Sequence, residues 1–169
     1  MNNKIRMISK SLKWSVIFFS GLALAYLLYS YFVEGRFNFG SDSPMFIALW
    51  HHGEANKTIL MTSTIPAFIL WMIFVYWLYR IFNNFERGEY FTEQNMLCYI
   101  WLVWIHAAMF ISKLLVTVWL IYYHERFFDD TDATINLELG QLFTLLLLVS
   151  IVHILKAAHA IELENKEFI

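Results

Sequence analysis

Four apolar blocks constrain this chain more than any other feature. They run from about Trp14 to Val33, Leu60 to Phe82, Leu97 to Tyr123 and Leu139 to Ile161. Crossing the hydrocarbon core of a bilayer takes about 20 apolar residues in a helix, and each block supplies them. The blocks are rich in Leu, Ile, Val and aromatics, with Pro66 the only proline in them. They predict an all-α integral membrane four-helix bundle. Composition agrees, since 59% of the 169 residues are hydrophobic and 15% charged, against roughly half and a quarter in a soluble domain. No internal repeat and no Ser/Gly/Pro-rich linker divides the chain, so residues 1–169 read as a single four-span domain.

Lys4, Arg6, Lys10 and Lys13 precede the first block, as they would in a signal peptide. The apolar run is longer than a signal core, and "YSYFVEGRF" after it has no small-residue cleavage pattern, so it reads as a retained anchor helix. Orientation follows from Lys and Arg in the short flanks. The N-terminal tail holds four, Arg80 and Arg87 follow the second span, and Lys156 and Lys166 lie at the C-terminal end. The other side holds Arg36 and Lys57 in one loop and Arg126 in the acidic loop "HERFFDDTDATINLE". Both termini and the 80–95 segment are therefore placed in the cytoplasm, with the bacterial inner membrane as the expected location. In the first outer loop, "PMFIALW" suggests a short helix lying on the membrane surface. Asn56-Lys57-Thr58 fits a glycosylation acceptor pattern that carries no meaning in a bacterial protein.

The segment "RIFNNFERGEYFTEQN" interrupts the apolar pattern between the second and third spans. Leu78, Ile81, Phe82 and Phe85 keep helical spacing, with Asn83, Asn84, Glu86 and Arg87 on the other side. The second helix should thus continue about two turns beyond the bilayer. Gly88 suits the left-handed residue past a helix end. Phe91 reads as an apolar plug, Thr92 as the N-cap of the third helix, and Glu93 as a favourable charge in its first turn. The alternative to this purely structural reading is a docking face for a cytoplasmic partner.

Two phrases in the chain resemble the signature stretches of a bacterial membrane family labelled domain of unknown function 2975. The first is F-x-x-x-x-x-G-x-x-F-T-x-x-N, carried by Phe82, Gly88, Phe91, Thr92 and Asn95. The second is a tail of the type L-x-x-E-N-x-x-x-I, carried by Ile161, Glu164, Asn165 and Ile169. The likeness extends to the whole four-span layout. One departure is the apolar "MLCYIW" after Asn95, where the family has a more basic stretch. That family has no established biochemical activity. The resemblance implies pairing with a small helix-turn-helix regulator of the Cro type, and so a regulatory role for the turn and the tail.

Ionisable groups inside spans are costly and mark functional sites by default. His106 and Lys113 share one face of the third span, and His153 and Lys156 share a face of the fourth. His106 and His153 fall at similar depth, about 12–14 Å from the cytoplasmic ends by helical rise. Two facing histidines can hold a haem iron, or they can hydrogen-bond to backbone and hydroxyls. His159 is near enough to the span end to be wet. Lys113 is expected in an interior polar pocket with Glu138, Gln141 or Thr144, with a depressed pKa or an anionic ligand as alternatives. His51, His52, Glu54, His124, Asp129, Asp130 and Asp132 could gather round a divalent cation, but their spacing matches no motif and a solvated loop accounts for them.

Other classes fall away. The single cysteine, Cys98, excludes an intrachain disulfide and a two-cysteine relay, and with them the quinone-linked thiol oxidases. No basic stripe beyond the first dozen residues suits nucleic acid, so direct contact with it is not expected. No nucleophile elbow, phosphate loop or HExxH occurs, and no span contains Asp or Glu. No catalytic residue, metal or cofactor is therefore expected, haem being the alternative. The first reading is a sensor or regulatory partner of a cytoplasmic protein, in contact with lipid, with a homo-oligomer as a further option. The second is a small redox or transport component using the His/Lys layer with haem, quinone or an anionic ligand.

Overall fold

The computed structural model describes residues 2–33, 35, 43–90, 92–128 and 139–167, with side chains for all of these except 2, 3, 139 and 162–167. Five helices follow in order: α1 (Asn2–Val33), α2 (Pro44–His51), α3 (Lys57–Arg87), α4 (Glu93–His124) and α5 (Leu139–Glu167). The described residues contain no strand. All but α2 are long and apolar enough to cross a membrane. The chain is thus a multi-pass membrane protein of the all-helical kind the apolar blocks predict. The long helices overrun their apolar blocks. At 1.5 Å per residue, α3 is about 46 Å long against a hydrocarbon core of about 30 Å, so its ends project into the interfacial layers.

The chain divides into two compact units, the first made of Met1–Ser20, Ile73–Ala107 and Glu138–Ile169. Its core is Ile81, Cys98 and Leu102, with Phe74, Trp77, Leu78, Phe85 and Tyr99 against them. Trp77 and Trp101 stack with ring centroids 5.8 Å apart and planes 8° from parallel. No described side chain of α5 is fully buried; its half-buried residues Gln141, Leu145, Leu148, Val152, Leu155 and the pair Ala158 and His159 recur at three- and four-residue spacing. That stripe is one helical face, and the other described side chains of α5 are exposed.

The second unit is Gly21–Met72 with Ala108–Leu137. The predicted short helix is present as α2, opened by Pro44 after an extended Ser43, a position where a missing N–H costs nothing. Its apolar residues turn to protein as well as outward. Phe46, Leu49 and Trp50 are buried with Ala55, Leu60, Leu120 and Tyr123 in one cluster. Trp50 donates its indole N–H to the Gly35 carbonyl at 2.7 Å, where Gly35 takes φ +62°. Asn56 has a structural task its acceptor-like pattern did not suggest. Its Oδ1 accepts the Thr58 N–H at 3.0 Å, capping α3. Its own N–H is donated to the Tyr123 hydroxyl at 3.1 Å.

Candidate functional site

The α3–α4 turn, within the first unit, carries a dense set of directional contacts. A helix end leaves four carbonyls without intrahelical donors. At the end of α3, the Glu89 N–H reaches the Asn84 carbonyl and the Gly88 N–H reaches the Phe85 carbonyl, both at 3.0 Å. That pair of bonds is the Schellman closure, and it needs a left-handed residue just beyond the helix. Gly88, at φ +85°, supplies it. A third carbonyl, that of Glu86, accepts from Arg6 Nε at 2.9 Å.

Helix α4 then starts on Thr92. The Met96 N–H bonds to the Thr92 carbonyl at 3.0 Å, and the Asn95 N–H reaches Thr92 Oγ1 at 3.4 Å. Thr92 therefore sits as an N-cap, with a long capping bond. Asn95 joins the two helices. It is fully buried, and its Nδ2 donates to the Glu89 and Tyr90 carbonyls, the latter at 3.2 Å. Its Oδ1 accepts from Asn84 Nδ2 at 2.9 Å. The amide orientation follows from its surroundings, because two backbone carbonyls require the NH₂ end. A buried polar side chain is tolerable when its bonds are made, and three are made here.

Lys13 on α1 adds an electrostatic contact. Its ammonium pairs with the Glu86 carboxylate, bonds to Asn83 Oδ1 at 3.3 Å and lies 5.9 Å from the centre of the Tyr79 ring. Glu86 is in the part of α3 beyond the apolar block, and Lys13 beside it holds its carboxyl below the usual carboxylate value. The outward side of the turn is different in character. Arg87, Gly88, Glu89, Glu93 and Gln94 are all exposed.

Asn84 is the main correction to the local reading. Helical spacing alone put it on the polar outer side, but the turn folds α4 back over it and it is buried with Asn95. Arg6, Lys13 and Glu86 also entered the sequence argument only as topology signals or surface polarity. Phe82 is half-buried, its ring 6.5 Å from that of Phe85. Phe91 lies outside the described residues, as do Glu138, Asp129, Asp130, Asp132 and Ile169. Ile161 is exposed, and the side chains of Glu164 and Asn165 also fall outside the described set.

The in-span groups separate in burial. His106 is half-buried, while His153 and Lys156 are exposed on α5. His106 Nε2 and His159 Nδ1 are buried atoms with no hydrogen-bond partner among the described residues, and His159 as a whole is half-buried. Lys113 is half-buried in the second unit, and its carbonyl accepts the Thr117 hydroxyl at 2.9 Å. Gln141 is half-buried on α5, and exposed Thr144 gives its hydroxyl to the Gly140 carbonyl of its own helix at 2.8 Å. In the outer loops, His51 and Glu54 are exposed. His52 packs on Phe127 and Phe128, and His124 stacks on Phe128 at 4.3 Å. The described residues hold no group of three or more His, Cys, Asp or Glu able to bind a metal.

Comparison with known protein families, curated proteins and solved structures gives no match.

Proposed function

We propose that this chain is a sensor or regulatory partner of a cytoplasmic protein, held in a bacterial cytoplasmic membrane, with the α3–α4 turn as its docking face. The observation that carries this is the contrast within the turn. Its inner side is fixed by Asn84, Asn95 and a Schellman closure, while Arg87, Glu89, Glu93 and Gln94 stand exposed. A fixed backbone presenting mixed charges suits recognition, because little ordering entropy remains to be lost on binding. The Lys/Arg bias of the flanks supports a cytoplasmic position. The phrases at Phe82–Asn95 and Ile161–Ile169 support membership of the domain-of-unknown-function-2975 family and, through it, a helix-turn-helix regulator as the partner.

The test is co-purification of the full chain with an encoded helix-turn-helix regulator in mild detergent. The reading expects a complex that is lost on Glu89→Lys with Glu93→Lys, at a stability cost of no more than about 2 kcal/mol from the reversed first-turn charge of α4. A complex indifferent to both changes, or none at all, contradicts it. A second reading, a redox or transport component, is favoured by the unpartnered Nε2 of His106. A Soret band abolished by His106→Ala would establish that reading instead.

A further inference from the structure

Helix α1 runs unbroken from Asn2 to Val33, although its apolar block begins only at Trp14. The preceding turns are two-sided. Ser9 is buried, Arg6 caps the Glu86 carbonyl and Lys13 pairs with the Glu86 carboxylate. The other side is exposed among the described residues. Met7 is 69% exposed and Trp14 59% exposed, with exposed Lys10 between them at three- and four-residue spacing, and Lys4 exposed one turn earlier. Successive residues of this set are neighbours on the helix surface, and Lys10 lies at the border with Arg6 and Lys13.

Depth identifies what covers this face. By helical rise, Lys10 is about 6 Å and Lys4 about 15 Å outside the start of the apolar block. The headgroup layer on each side of a bilayer is roughly 5–8 Å thick. Lys10 therefore lies at the level of the lipid phosphates. Lys4 is just beyond them, within about one Debye length at physiological salt. Trp14 sits at the boundary where amphipathic aromatic rings are favoured. Neither lysine makes a close ion pair with a carboxylate among the described residues, although Lys10 is near enough to Glu86 to help hold its carboxyl below the usual value. Among the described side chains, the Glu86 carboxylate pairs with Lys13 and the Glu86 carbonyl accepts from Arg6.

We propose that the Lys4–Lys10 face of α1, with Met7 and Trp14, is a contact surface for anionic phospholipid head groups. Glu86 tunes it by holding Lys13 away from the lipid. Arg6 and Lys13 are bonded to α3, while Lys4 and Lys10 carry no such bond among the described residues and stand exposed. The inference is independent of any docking at the α3–α4 turn.

The experiment uses the full chain in an uncharged detergent. It is titrated with short-chain phosphatidylglycerol, short-chain phosphatidylcholine or inorganic phosphate, and read by melting temperature and by native mass spectrometry of lipid adducts. Each lysine near an anionic surface contributes about fivefold in binding. Phosphatidylglycerol should thus bind at least about fivefold more tightly than phosphatidylcholine. Lys4→Gln with Lys10→Gln, or 0.5 M salt (~4 Å Debye length), should bring that ratio close to one. Glu86→Gln should raise it by releasing Lys13. Equal binding of the two lipids, or a preference that survives the double lysine change, overturns the proposal. So does an equal response to inorganic phosphate, which would mark a free-anion site. A lysine-dependent shift in oligomer mass without lipid retention would assign the face to a second copy and overturn it as well.

Discussion

The α3–α4 turn and the α2 segment solve the same problem with different chemistry. Each anchors a reversal of the chain between membrane-length helices. Around α2 the anchor is volume, with Phe46, Leu49 and Trp50 filling a pocket beside Leu60, Leu120 and Tyr123. At the α3–α4 turn it is direction, with Asn95 bonding to two carbonyls and to Asn84. A volume lock tolerates other apolar side chains of similar size, because dispersion and apolar burial are not directional. A hydrogen-bond lock tolerates only the right donor and acceptor, whatever the size. Size-conserving and chemistry-conserving changes should therefore have opposite effects in the two places.

The largest effect is expected at Trp50. Trp50→Ala leaves a cavity and removes the bond to Gly35, and should cost about 3–5 kcal/mol in an unfolding titration, while Leu49→Met should cost less than ~1.5 kcal/mol. At the turn the isostere is the damaging change. Asn95→Asp keeps the shape but replaces the NH₂ donor with oxygen facing two carbonyls, for about 2–4 kcal/mol. An Asn95→Asp protein as stable as the native one would break the contrast. Thr92→Ala should cost ~1 kcal/mol or less, in keeping with the long 3.4 Å capping bond.

The smallest effect is a pH dependence at Glu86. Lys13 depresses its carboxyl pKa, so its contribution is present above the unfolded carboxylate pKa and is lost as pH falls through the depressed folded value. Thermal melts at descending pH should show a slightly shallower loss in Glu86→Gln than in the native chain. An identical pH profile would remove the ion pair from the account.

How far these features were legible in the sequence depends on their range. The four spans and α2 follow from runs of apolar residues, a signal that needs no partner. Gly88 and Thr92 were equally readable, since a helix stop and a helix start are local events. Asn84 was not, because its partner lies eleven residues away across the turn, and helical spacing assigns a face without saying what folds over it. Two asparagines flanking a Gly turn were the available clue. Asn56 was visible as an asparagine directly before an apolar helix, but its match to another pattern drew the reading elsewhere. Arg6 and Lys13 act on Glu86 from a segment 73 to 80 residues away, beyond any local pattern.

The account rests on the α3–α4 turn being a fixed joint rather than a loose connection. Amide hydrogen exchange over residues 84–96 tests this most directly, with residues 44–60 as the internal control. The amides of Gly88, Glu89, Asn95 and Met96 are each bonded and should exchange slowly, as helical amides do. Asn95→Asp should speed exchange in that stretch by roughly 10- to 100-fold, the equivalent of about 1.4–2.8 kcal/mol of local opening, and leave 44–60 unchanged. Fast exchange at Gly88 and Glu89 in the native chain, or exchange indifferent to Asn95→Asp, would contradict the claim.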